Sequence, residues 1–213
     1  MADFRLGWLW CAVALIGVTQ PASAAMLQYN LDQSNTESVL PDGVPRVGVT
    51  ISDGAGGNIE FSVATLPGAF GGTDFGIQSF GFNVAGAGAL SAGNFSLPSG
   101  WSVKPSGNQD GFGSFDWVLS GSGSSRLDPL TFSIIGITGD APLSYFDLSS
   151  GSAEQGNVAF AAHVAGFVSG DPLITSSYIG GGTPVPVPSA AWLLLSGLVG
   201  FSAVARRRKP TPG

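Results

Sequence analysis

Residues 47–63 read VGVTISDGAGGNIEFSV, and at both ends of this stretch the apolar side chains fall on every second position. Val47, Val49 and Ile51 are separated by Gly48 and Thr50, while Ile59, Phe61 and Val63 are separated by Glu60 and Ser62. Successive side chains of a strand point to opposite faces, so a period of two marks a strand with one face buried and the other wet. Asp53-Gly54 between the two runs is turn chemistry.

The same alternation recurs outward along the chain. Phe80, Phe82 and Val84 alternate with Gly81 and Asn83; Phe115, Trp117 and Leu119 with Asp116 and Val118; Leu130, Phe132 and Ile134 with Thr131 and Ser133; Phe160, Ala162 and Val164 with Ala161 and His163. Asp42-Gly43, Asp110-Gly111 and the Gly121–Ser125 tract supply further turns. Only 10% of the residues are charged, against about 25% in an ordinary soluble domain, which leaves little material for the polar faces of long helices. Many short strands with frequent turns predict an all-β fold, an antiparallel β-sandwich or jelly-roll-like domain, over residues 25–183.

That body carries three basic side chains (Arg46, Lys104 and Arg126) against thirteen acidic ones, a net charge of −10. A phosphate backbone is repelled by such a surface, so nucleic acid is excluded as a partner. One Cys and one His in the whole chain exclude a disulfide framework and a Cys/His metal site. His163 is the sole imidazole, Gly-x-Ser-x-Gly does not occur, and neither does a phosphate loop or a dinucleotide fingerprint. No catalytic residue, metal site or cofactor is therefore assigned, and the expectation is a protein that is not an enzyme.

Two binding alternatives remain beside an extracellular hydrolase built on an unidentified carboxylate pair. Asn108-Gln109-Asp110-Gly111 followed by Asp116 offers hard oxygen ligands for calcium, although Leu119 and Ser120 stand where an EF-hand would place its bidentate Glu. Asp110-Gly111 is equally a hairpin turn. For carbohydrate, Trp101 and Trp117 are the candidate platform; Trp117 alternates with core positions, whereas Trp101 follows Pro98-Ser99-Gly100 and no alternation fixes its face.

The ends of the chain speak of export. Arg5 precedes an apolar run from Leu6 to Val18, then Gln20-Pro21, then Ala22-Ser23-Ala24, the layout of a signal peptide cleaved before Ala25. As a helix that run rises only about 20 Å, short of a bilayer core of about 30 Å. Cys11 lies within it, so the mature chain holds no thiol, in keeping with an oxidising compartment. At the other end Ile179-Gly180-Gly181-Gly182-Thr183 reads as a flexible spacer before Pro184-Val185-Pro186-Val187-Pro188, where alternate prolines impose an extended chain. Ser189 to Ala205 is uncharged and about 25 Å long as a helix, a short transmembrane segment. Arg206, Arg207, Arg208 and Lys209 follow it and hold that end in the cytoplasm by the positive-inside rule.

Residues 184–209 resemble the PEP-CTERM sorting signal of Gram-negative bacteria: the motif Val185-Pro186-Val187-Pro188-Ser189, one apolar helix, and an immediate basic end. Val187 stands where the name-giving Glu usually stands, which makes this a variant motif. The stretches from Gly111 to Ile135 and from Phe160 to Gly166 are also similar to segments of small exported proteins that carry this tail. The resemblance implies an exosortase-type membrane transpeptidase as processing partner and exopolysaccharide or biofilm matrix as surroundings. It further implies transient inner-membrane anchoring through the C-terminal helix, then release to the cell surface or medium.

The expected domain plan is a signal peptide over 1–24, the β domain over 25–183 and the sorting tail over 184–209. Protein recovered from outside the cell is predicted to begin at Ala25, the residue after the small-residue site at Ala22 and Ala24. Intact mass and N-terminal peptide analysis check this, and retention of Met1 would contradict it.

Overall fold

The computed structural model describes residues 25–85 and 90–185. Among them the regular elements are ten strands and four short 3-10 turns: β1 (Met26–Ser34), β2 (Val47–Asp53), β3 (Ile59–Thr65), β4 (Gly76–Phe82), β5 (Phe95–Ser96), β6 (Trp101–Gln109), β7 (Gly113–Gly121), β8 (Leu130–Ile134), β9 (Phe160–Ala165) and β10 (Ser176–Pro184). The expected signal helix, the tail beyond Val185 and its transmembrane helix lie outside the described residues. Among the described residues no helix is long and apolar enough to cross a membrane.

The protein body is all-β and antiparallel, and the six alternating segments are β2, β3, β4, β7, β8 and β9. Two separate sheets were the expectation; the ten strands instead form one hydrogen-bonded sheet in the order β5-β8-β3-β2-β1-β10-β9-β4-β7-β6. Directly opposed residues of an antiparallel pair share a face. Ile51, Phe61 and Phe132 thus make one inward row across β2, β3 and β8, and Leu119, Phe80, Ala162 and Ile179 another across β7, β4, β9 and β10.

These distant parts of the sheet meet. The Phe61 ring stacks on Phe132 at 4.6 Å and lies 5.2 Å from Phe82, while Phe95 of β5 lies 5.0 Å from Trp117 of β7. Strand twist accumulates along a long sheet, and here it curls the two halves over a shared aromatic core, so that the sheet comes close to a closed barrel. Burying apolar inner faces is the driving force, and one curled sheet satisfies it without a second. Tyr145 closes one part of this core, fully buried, with its hydroxyl donated to the Asp140 carboxylate; burial first, then that contact, pushes the phenol's pKa up.

Two expectations are corrected by the packing. Ile179–Thr183, read as a flexible spacer, lies inside β10, a central strand paired with both β1 and β9. Glycine serves close approach there: a Cβ at Gly180 would lie 2.5 Å from the Phe112 ring, and one at Gly181 2.8 Å from the Leu31 Cα. Trp101, offered as a sugar platform, is buried in β6 and donates its indole N–H to the Ser125 carbonyl at 2.8 Å; Trp117 is buried too.

Phe61 touches rings from both halves of the sheet, so Phe61→Ala should destabilise the fold by about 3–5 kcal/mol, the usual cost of a large aromatic cavity. Urea unfolding followed by tryptophan fluorescence checks this; a loss below about 1 kcal/mol would mean that the halves do not share that core.

Candidate functional site

The outer face of the same sheet carries a polar row that no single segment of sequence displays. Ser120 pairs with Ser79, Ser79 with His163, and His163 with Tyr178, so four side chains stand side by side across β7, β4, β9 and β10. Ser102 of the edge strand β6 extends the row by pairing with Ser120. The β4–β9 register shifts between Ile77 and Ser79. An extra residue of this kind re-aims side chains locally, and both Gln78 and Ser79 line the groove that results.

The neighbouring row explains why a groove exists. Val118, Gly81, Ala161 and Gly180 are opposed in turn across the same four strands. Gly81, Ala161 and Gly180 are small enough to let the end of the β6–β7 hairpin lie back over the sheet: Phe112 sits on Gly180, and a Cβ at Gly81 would lie 2.9 Å from both Gln109 Cγ and Phe115 Cγ. Phe112, Phe115, Val118, Val158 and Ala161 form a second, smaller core there, with Tyr178 packed against it. Covered small residues on one side and uncovered polar residues on the other leave a depression of about 340 Å³, lined by Lys104, Asn108, Gln109, Ser120, His163 and Tyr178 among others.

The walls are held firmly. His163 stacks on Tyr178 with ring centroids 4.4 Å apart and planes 15° from parallel. Asn35 fixes the Tyr178 backbone: its Oδ1 accepts from the Tyr178 N–H at 2.9 Å, and its Nδ2 donates to Asp110 at the hairpin tip at 2.9 Å. Gln109, only 1% exposed, accepts the Ser79 hydroxyl on Oε1 at 3.1 Å. That hydroxyl is thus directed at an amide and not at His163. Burial lowers the His163 pKa, and burial followed by the negative field of Asp110 raises that of Tyr178, so both rings are neutral at pH 7.

The sequence-derived candidates fall elsewhere. Gln109 to Gly113 form the β6–β7 turn, with the Phe112 N–H donated to the Gln109 carbonyl at 2.9 Å. Asp110 is bonded to Asn35, and Asp116 accepts the Val84 N–H at 3.1 Å, so the proposed calcium oxygens serve separate contacts. Among the described residues no three His, Cys, Asp or Glu side chains gather as a metal site. Ala25 and Val185 are the described members of the segments expected to be processed: Ala25 N donates to Asp53 Oδ2 at 2.8 Å, and Val185 N to the Gln28 carbonyl at 2.8 Å. Ala22, Ala24, Pro186, Val187, Pro188, Ser189 and Arg206 to Lys209 lie outside the described residues. Comparison with family models, curated proteins and solved structures finds no match.

Depression of the His163 pKa has a sign that can be measured. Below about pH 6.5 the unfolded chain takes up a proton that the folded imidazole resists, so the unfolded state is favoured as pH falls through that range. The urea midpoint should therefore fall from pH 7.5 to pH 5.5 by more in the native sequence than in His163→Gln. Equal falls would show that the imidazole is freely solvated.

Proposed function

We propose that the chain is an exported, non-enzymatic protein, delivered by the N-terminal signal and sorted through the C-terminal tail, whose body serves at the cell surface or in the extracellular matrix. In this reading the signal helix ends before Ala25, and Ser189 to Ala205 cross the inner membrane until an exosortase-type transpeptidase removes the tail. The curled sheet is then the passenger domain.

The observation that carries the reading is where the two ends of the body lie. β1 and β10 are adjacent central strands, Tyr29 is opposed to Pro184, and the Val185 N–H is bonded to the Gln28 carbonyl. Ala25 is only three residues from Gln28, so the signal and the tail join the body at one end of the molecule. A passenger whose two membrane segments join at one end can be folded on the outer side while both ends remain at the bilayer. Cleavage before Ala25 also has a local benefit. The Ala25 nitrogen already donates to Asp53, and as a free ammonium it would make that contact charge-assisted, the stronger class of hydrogen bond.

Proline has a fixed φ and no N–H, so the sequence at 186 and 188 favours an extended motif without ladder donors, a form suited to a transpeptidase cleft. Replacing both by Ala should leave a membrane-bound precursor that retains Arg206 to Lys209, while the native sequence yields a shorter soluble form. Membrane fractionation with intact mass checks this. Native protein that stays in the membrane with its basic end attached would refute processing and leave a single-span anchor.

A further inference from the structure

We propose that the groove between the β6–β7 hairpin and the outer face of β9 and β10 binds a neutral saccharide, through the stacked His163–Tyr178 pair and the amides of Asn108 and Gln109. The proposal goes beyond sorting and does not depend on it, since binding can hold whether or not the tail is processed.

The first ground is unused hydrogen-bonding capacity. Elsewhere several buried polar side chains satisfy one another, Gln33 Oε1 being an exception: Ser34 bonds Ser177, Ser149 donates to the Phe112 carbonyl, and Asn157 donates to the Ser149 carbonyl. In the groove Gln109 takes the Ser79 hydroxyl on Oε1, while its Nε2 bonds to no described residue and is open to the depression. His163, the Tyr178 hydroxyl, the Asn108 amide and the Lys104 ammonium likewise bond to no other described side chain, although all five line one depression. These groups are free to bond a ligand in place of water, and polar side chains that converge on one depression beside aromatic rings are the usual make-up of a small-ligand site.

The second ground is charge. Arg46 is buried and donates to the carbonyls of Pro41 and Val44, and Arg126 pairs with Asp74 at 3.3 Å. Lys104 is the basic side chain that lines the groove, and a single cation does not offset a body of net charge −10. Phosphorylated ligands and polyanions are therefore disfavoured. An apolar ligand finds little to contact beyond Val118 and the two rings.

What fits is a ligand rich in hydroxyls and without charge. Planar amides and a neutral imidazole both donate and accept, as sugar hydroxyls do, and aromatic edges and faces cover the apolar C–H patches of a pyranose. A volume of about 340 Å³ lies at the lower end of small-ligand sites, which run from about 300 to 1,000 Å³. The depression opens beside the edge strand β6, so a longer chain can continue past it into solvent.

The test is an array of neutral and uronate-containing oligosaccharides probed with the purified full-length protein, followed by titration of the strongest neutral binder. Lys104→Ala and Asn108→Ala alter exposed rim positions and leave the fold intact by circular dichroism, and each should weaken that binding about tenfold. Ser62→Ala, on the outer face of β3, should leave it unchanged. In the native protein the same glycan should shift the His163 imidazole resonances. Retention of no neutral glycan, binding confined to uronates, or neutral binding that the two rim variants leave untouched would each overturn the proposal. Failure of tail processing would have no bearing on it.

Discussion

Phe112 rests on Gly180 so closely that a single methyl group would lie 2.5 Å from its ring, and the outer surface of the molecule is arranged around that contact. Neither residue is near the other in sequence. The contact requires that β10 be a central strand, that β9 place Ala161 beside Gly180, and that the β6–β7 hairpin turn back across the sheet. Only small residues along this row allow the approach, because a closely packed interior admits no extra methylene without strain. Once the hairpin is seated, Gln109 is carried over Gly81 and the depression beside His163 and Tyr178 has its wall.

The inner face follows the opposite rule. There apolar positions dominate, most of them large, and the Phe61, Phe80, Phe82 and Phe132 rings from both halves converge. A flat ten-stranded sheet would leave all of them in water. Curling buries them against each other, and the fully buried Phe160 and Tyr145 complete the filling. Large residues inside and small residues outside are thus two parts of one arrangement: the first closes the sheet on itself, the second lets a hairpin cover part of its back.

The strands with an alternating pattern were legible in the sequence, because burial of one face imposes a period of two on residues such as Val47–Ile51 and Ile59–Val63. β6 was not, since from Ser102 to Asn108 it is an edge strand that stays largely in water and shows no alternation. β10 was misread for a more instructive reason. Three consecutive glycines look like a linker, yet at Gly180 and Gly181 hydrogen replaces a side chain so that a ring and a neighbouring strand can approach. The polar row escaped for a third reason: Ser120, Ser79, His163 and Tyr178 come from four strands, and only the pairing register brings them together. His163 read alone was an isolated imidazole. A sequence records which face a strand buries, but not which strand lies beside it.

The two ends of the described body lie on the neighbouring strands β1 and β10, whereas the groove lies on the outer face of β4, β9 and β10 beneath the β6–β7 hairpin. The seating of that hairpin is the claim on which the groove depends. A nuclear Overhauser spectrum of the protein tests it most directly. The account predicts cross-peaks from the Phe112 ring protons to the Gly180 Hα protons, those Hα resonances displaced by the ring current, and cross-peaks between the His163 and Tyr178 rings. Gly180 Hα resonances at random-coil positions with no contact to Phe112 would show that the hairpin does not cover the sheet, and the groove would lose its wall.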